Sequence, residues 1–300
     1  MERCLITGGT GLIGRHVIAL LRKKCELYTL VKDPANVTSD GIRIIRCDLA
    51  REWSSERFPP VVDAVINLAQ SEHFREFPAF AQHILNVNTI STLKLLEFAR
   101  KAKAKAFILA SSGGIYGHGE EGFSEDQAIP AKDDLGFYLG TKLCAEVLAE
   151  NYTPYMNVII LRFFFVYGPG QRATMLIPRL TKAVKEQQPI ILHGKDGLRI
   201  NPTYVTDAAS AVCRSLQLTE SHKINIGGPE VLSLRQIGQQ IGEALHKEPV
   251  FEVNEHISPH HLIGDIKKMV HFLGQPSVKF KEGIEKYVKE LDEERYYRDV

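Results

Sequence analysis

An α/β protein built on a doubly wound parallel sheet, followed by a smaller mixed α/β domain, is predicted by three observations. Short apolar runs rich in β-branched residues alternate with stretches of helical period through the first half of the chain. A glycine-rich turn separates the first such run from the first helix. Past "YGPGQ" (167–171) the alternation breaks into irregular helices and short strands.

Each element has its own signature. "RCLIT" (3–7) reads as a buried strand, and the apolar periodicity from Leu12 to Arg22 as a helix. "ELYTLV", "IRIIRC" and "AVINLA" (64–69) are the second, third and fourth strands, with "REWSSERFPP" and its Trp53 as a loop before the fourth. Apolar residues at Phe80, Ile84, Leu85, Leu93, Leu95 and Leu96 predict one long helix over 78–103. "AFILASS" is the fifth strand, and a Gly-rich loop leads to the helix that carries "GFYLGTK" (136–142). "NVIILRFFF" is the sixth strand, so parallel strands with right-handed crossovers follow. "PIIL", "PTYV" and "KINI" are short strands of the second domain, and the charged final helix "EGIEKYVKELDEERYY" reads as a solvated face. The expected division is 1–166 plus roughly 200–226 for the first domain, and 167–199 with 227–300 for the second.

Composition narrows the function classes. Lys and Arg number 37 against 36 Asp and Glu, so nothing advertises a polyanion such as DNA. The longest apolar run, "VIILRFFFVY", is interrupted by Arg162 and is too short to span a bilayer. Five scattered cysteines (Cys4, Cys25, Cys47, Cys144, Cys213) without a CxxC favour reduced thiols, and a strand starting at once leaves no room for a signal peptide. A cytoplasmic protein without membrane or nucleic-acid partners is expected. His256, His260 and His261 in "EHISPHH" are interrupted by Pro259 and have no cysteine near, so no metal is expected.

"CLITGGTGLIGRHV" places Gly8, Gly11 and Gly14 between strand and helix, the Rossmann-type arrangement for a dinucleotide. Its backbone and the amides of Leu12 and Ile13 suit a pyrophosphate on a helix N-terminus. Lys32 closes the second strand where an NAD site wants a carboxylate; the cation suits the 2′-phosphate of NADP, while Asp33 keeps NAD open. The reading leans to NADP. Asp48 and Leu49 would flank the adenine, unless Asp48 merely closes a turn. Tyr138 and Lys142 stand one helical turn apart, but Tyr28 and Lys32 repeat that spacing, so the spacing alone proves nothing.

Taken together, the motifs resemble the extended branch of the short-chain dehydrogenase/reductase superfamily, the NAD-dependent epimerase/dehydratase family. "TGGTGLIG" resembles its T-G-x-x-G-x-x-G, "NLAQ" its N/H-L-A-A, "SSGGIYG" its S-S-x-x-V-Y-G and "YLGTK" its Y-x-x-x-K. "FFFVYGPGQ", "GKDGLRINPTYVTDAA" and "INIGGPEVLSL" follow in the family's order. The resemblance implies catalysis by Ser112, Tyr138 and Lys142, with Ser111 the lesser choice. Tyr138 would exchange a proton with the substrate oxygen, and Lys142 would lower its pKa and hold the nicotinamide ribose. Leu68, Ala69 and Gln70 would line the cofactor, and Asn88 would lie near the site in a structural or water-ordering role.

Departures from the pattern steer the reaction. Gly113 and Gly114 occupy the place of a dehydratase's Asp-Glu pair, so sugar dehydration is not expected. Phe165 replaces the Asn that the family sets on a nucleotide-sugar phosphate, and Ile200-Asn201 replaces an Arg-Asp. Arg172, Arg179, Arg199 or Lys195 could clamp a diphosphate instead. The expectation is an NAD(P)-dependent nucleotide-sugar epimerase acting at C4. The alternatives are an NADPH-dependent keto-sugar or carbonyl reductase and a non-catalytic dinucleotide-binding protein. A homodimer through the helices near 80–102 and 137–152 is implied by the resemblance.

Overall fold

The computed structural model describes residues 2–34, 41–129 and 135–298, with side chains as far as residue 291. In chain order the first half contains β1 (Glu2–Thr7), α1 (Leu12–Leu21), β2 (Cys25–Val31), β3 (Ile42–Arg46), β4 (Ala64–Asn67), α2 (Ala81–Leu85), α3 (Ser91–Lys101), β5 (Ala106–Ser112), α4 (Gly136–Glu150) and β6 (Asn157–Phe163). The second half contains β7 (Val166–Tyr167), α5 (Leu176–Lys185), β8 (Ile190–His193), β9 (Arg199–Ile200), β10 (Thr203–Tyr204), α6 (Val205–Ser215) and β11 (His222–Ile226). It closes with β12 (Leu232–Ser233), α7 (Leu234–Leu245), β13 (Phe251–Asn254), α8 (Lys267–Leu273) and α9 (Phe280–Arg298).

Two compact units emerge. The first comprises 1–115, 128–162 and 209–224; the second comprises 116–127, 163–208 and 225–300. The sequence division gave 116–127 and 200–208 to the first domain. Both stretches pair within the second unit instead. Phe123 bridges to Gly264, and Tyr116 stacks on Phe123 at 5.1 Å while donating to Asn225 Oδ1 at 2.9 Å. Thr203 and Tyr204 form a parallel pair with Val166 and Tyr167.

The first unit is a seven-stranded sheet in the order β11-β6-β5-β4-β1-β2-β3, a mixed α/β architecture of Rossmann type. β1 runs parallel to β2 and β4, β2 to β3, and β4 to β5. Helices cover both faces, so the central strands are apolar along their length: β4 is buried throughout and β5 is buried up to its last residue. Leu5, Val65, Leu95, Phe98, Phe107 and Ile160 belong to the core on one face. The strand order reverses between β1 and β4, and the ends of these strands are where open α/β sheets bind ligands.

Two expectations need correction. The helix predicted over 78–103 begins at Ala81 and is interrupted by a wide π turn at Asn86–Ile90, whose side chains bond to neighbouring elements. The final helix is not a wholly solvated face. Gly283, Ile284, Tyr287 and Val288 form a buried stripe, because charged residues fill only the other positions of its period. The rest of the charged stretch beyond residue 291 lies outside the described side chains.

In the second unit β9 pairs antiparallel with β12, and β8 pairs parallel with β13. Asn201 clamps Gly264 from both sides, its Nδ2 donating to the carbonyl and its Oδ1 accepting the amide, each at 3.0 Å. This gives the Ile200-Asn201 departure a structural role. His261 accepts the Arg199 amide on Nδ1 at 3.0 Å, which makes it a bracing residue. Among the described residues no helix is long and apolar enough to cross a membrane.

Candidate active site

The glycine turn after β1 owes its shape to backbone contact. Gly8 has φ +70°, and a Cβ there would stand 2.7 Å from the Leu68 carbonyl carbon at the end of β4. A Cβ on Gly14 would meet the Gly8 carbonyl oxygen at 2.1 Å, so α1 approaches the turn only with glycine there. Gly11 caps α1 without a side-chain hydrogen bond, and the first turn carries no acidic residue. The helix therefore presents amides and positive dipole at the strand ends, with Leu12 and Ile13 half-exposed. These features fit a dinucleotide pyrophosphate.

Beneath the turn runs a satisfied polar chain. Thr7 Oγ1 donates to Asn67 Oδ1 at 2.6 Å, Asn67 Nδ2 donates to Thr92 Oγ1 at 2.9 Å, and Thr92 Oγ1 donates to the Asn88 carbonyl at 2.8 Å. Asn88 is buried in the π turn. Its Oδ1 accepts the Ser71 amide at 3.0 Å and its Nδ2 donates to Thr141 Oγ1 at 3.0 Å. Both ends of its amide thus serve the scaffold, linking the loop after β4 to α4.

At the adenosine end, Lys32 is exposed and its Nζ lies 3.3 Å from Glu72 Oε1. Asp48 Oδ1 accepts the Ala50 amide at 3.0 Å and Oδ2 faces Arg51 at 3.4 Å, the turn-closing role, with Leu49 half-buried beside it. Tyr28, the other tyrosine at lysine spacing, donates to Glu26 at 2.8 Å.

Tyr138 stands in the first turn of α4, partly buried, and its hydroxyl donates to Gln70 Oε1 at 2.7 Å. Burial pushes the phenol above the ordinary tyrosine value, while a hydrogen bond from Ser112 and the charge of Arg75 pull it down. Ser112 also accepts the Gly114 amide on Oγ at 3.1 Å. Ser111 is buried with its hydroxyl unmatched. Lys142, one turn along, is buried and donates to the Ala110 carbonyl at 3.0 Å. Burial brings its ammonium down to about 8 against a partial rise from Glu146.

The loop from Leu68 to Phe80 supplies what the sequence reading missed. Phe74 packs its ring 4.9 Å from Tyr138, Arg75 lies 5.1 Å over the Phe74 ring, and Phe77 stacks on Phe137 at 4.8 Å. Gln70, expected against the cofactor beside Leu68 and Ala69, accepts from the Tyr138 phenol. Aromatics and an arginine between the fourth strand and its helix, at the ligand-binding ends of the strands, were the available signal. Phe165, Arg172, Arg179 and Arg199 belong to the second unit, where the three arginines are exposed and Phe165 adopts φ +41°.

The profile of the "NAD dependent epimerase/dehydratase family" matches residues 4–227. A UDP-glucuronate 4-epimerase of Thermodesulfobacterium geofontis is 30% identical over 306 residues, covering 95% of this chain and 94% of that protein. Among solved structures, UDP-glucuronic acid 4-epimerase from Bacillus cereus in complex with NAD superposes with a TM-score of 0.84 at 26% identity, covering 97% of each chain. MoeE5 in complex with UDP-glucuronic acid and NAD gives 0.83 at 25% identity, covering 97% of this chain and 99% of the other.

Proposed function

The chain belongs to the NAD dependent epimerase/dehydratase family, and from that premise we propose that it is a nucleotide-sugar 4-epimerase working with NAD. The observation that carries this reading is the placing of the Tyr138 hydroxyl, which donates to Gln70 Oε1 at 2.7 Å at the strand ends, with buried Lys142 one helical turn along.

Gly8, Gly11, Leu12, Ile13 and Gly14 would hold the pyrophosphate, Asp48 and Leu49 the adenine, and Leu68 and Ala69 the nicotinamide side. The nicotinamide ring, when bound, supplies reversible acceptance of hydride at the sugar's C4. Tyr138 would act as base only as its phenolate, its own proton having left to solvent as the positive charge of the bound nicotinamide favours ionisation; the phenolate then takes the proton of the C4 hydroxyl and later returns it. Ser112 donates to the same oxygen and stabilises charge there. Gln70 accepts the phenol's hydrogen bond at rest, so an arriving sugar hydroxyl must displace that contact. Lys142, with its ammonium near 8, carries its donors at the floor of the site. Gly113 and Gly114 offer no acid-base pair, which leaves elimination of water without its catalysts.

The reductase alternative is set aside. A relative over nearly the whole chain is a 4-epimerase, and Lys32, the residue that favoured NADPH, is engaged by Glu72. The same ion pair turns the cofactor reading from NADP to NAD, in line with the NAD-bound neighbours. Arg172, Arg179 and Arg199 are the proposed diphosphate ligands, and Asn88 is reassigned to the scaffold. A homodimer through α3 and α4 accounts for the exposed apolar side chains of Ile90, Leu93 and Val147.

The test incubates the protein with UDP-glucuronate, UDP-glucose or UDP-N-acetylglucosamine and with NAD or NADP, following anomeric protons by NMR. Formation of the 4-epimer with NAD unconsumed is the expected result. Stoichiometric loss of NADPH absorbance without epimer, or no product from any sugar, overturns the proposal.

A further inference from the structure

We propose that Glu72 and His73 of the loop that also carries Gln70 and Arg75, with His83 of α2, form a binding site for a borderline divalent cation, Zn²⁺ foremost. One ligand atom from each of the three lies within 4.8 Å of the others. The hydrogen bonds around them argue for a cation more strongly than their proximity does.

His73 Nδ1 is 2.9 Å from Glu76 Oε1. A carboxylate only accepts, so Nδ1 bears the proton. In the neutral ring Nε2 then turns its lone pair toward Glu72 Oε1, 3.5 Å away. Two acceptors face each other, and a positive particle belongs between them: a second proton on the ring, or a metal ion. His83 can be held in the same way by a hydroxyl. Its Nδ1 is 2.9 Å from Ser71 Oγ, and the tautomer that donates there leaves Nε2 as the ligand nitrogen. Ser71 Oγ is fixed in turn by the His73 amide at 3.1 Å.

Both imidazoles are thus oriented through their second nitrogen by an oxygen, as metal-bound histidines are. Phe80 stacks on the His73 ring at 3.8 Å and 9°, which fixes its plane. Two imidazoles and one carboxylate leave a fourth position for water and select Zn²⁺ over the oxygen-seeking Mg²⁺ and Ca²⁺. Lys32 shares Glu72 with the site, so a bound ion competes with that ammonium for the carboxylate. The inference does not rest on the proposed catalytic activity, although a bound ion would draw Glu72 away from Lys32 at the cofactor end.

The test strips the full chain with chelator and titrates Zn²⁺ against a chromophoric indicator. One equivalent should bind at micromolar affinity or tighter, and X-ray absorption of the wild-type complex should show two imidazole ligands and no sulfur. His73→Ala and His83→Ala should each weaken binding at least tenfold, and Glu76→Gln roughly tenfold through orientation alone. His118→Ala, at a histidine of the second unit, should leave binding unchanged. Absence of stoichiometric Zn²⁺, a spectrum without imidazole, or wild-type affinity in both histidine variants overturns the site.

Discussion

Lys142 shows what burial costs a single charged residue. Its pKa falls from 10.5 to about 8 because burial disfavours the ammonium. Between those two pH values the unfolded chain binds the proton that the native chain has released, so this residue makes stability rise with pH through that window. Below it the native protein bears the full penalty, about 3 kcal/mol from the shift. Lys142→Met should therefore be more stable than wild type at pH 7, by a margin that shrinks by about that amount as pH rises to 10.5. Urea melts of both proteins at the two ends measure the difference, and a margin independent of pH contradicts it. Phe165 stores strain of another kind: φ +41° presses its Cβ on the backbone, where the family's Asn is better tolerated. Phe165→Asn should stabilise by about 1 kcal/mol, read as a rise in Tm, and a lower Tm speaks against it. Tyr138 and Lys142 were legible because sequence neighbours and chain order identify them. Gln70, Phe74 and Arg75 were not, since their meeting with the phenol depends on the path of a loop across strand ends, which no local period encodes.

The element that matters most is α4. Tyr138, Lys142 and Glu146 follow at four-residue steps, which puts them along one face. Glu146 is buried and grips Arg162 of β6, with Nη2 to Oε2 at 2.7 Å and Nε to Oε1 at 3.1 Å. This ion pair bolts the helix to the sheet and fixes where its first two turns present phenol and ammonium. Glu146→Gln leaves the guanidinium buried without its carboxylate and should cost about 3–5 kcal/mol. Chemical denaturation measures that loss, and a change within experimental error would mean the pair does not anchor the helix. Arg162 was visible in the sequence as a charge inside an apolar run, but its partner sixteen residues earlier was not, because the contact crosses from helix to strand. The π turn was hidden for a related reason. Its residues keep helical apolar spacing while Asn88 bonds to Ser71 and Thr141, partners remote in sequence.

At the scale of the whole molecule, the parallel sheet was the most legible feature. Strands covered on both faces must be apolar throughout, and the glycine turn fixes which strand comes first. The second unit was less so, since its two-residue strands are too short to show a period. Its final helix misled because charges dominate its composition while four positions form the buried stripe. Exposed apolar side chains stand on α4 and on the π turn that leads into α3, with Val147 55% exposed and Ile90 41%. Sedimentation should show a dimer, and Val147→Asp should sediment as a folded monomer; a monomeric wild type contradicts the proposed interface. The central claim, that the Tyr138 phenol moves the proton of a sugar's C4 hydroxyl, is tested most directly by Tyr138→Phe. Incubated with NAD and the nucleotide sugar that wild type converts, the variant should bind NAD with unchanged affinity and yield no 4-epimer by NMR; epimer formed at the wild-type rate would contradict the account.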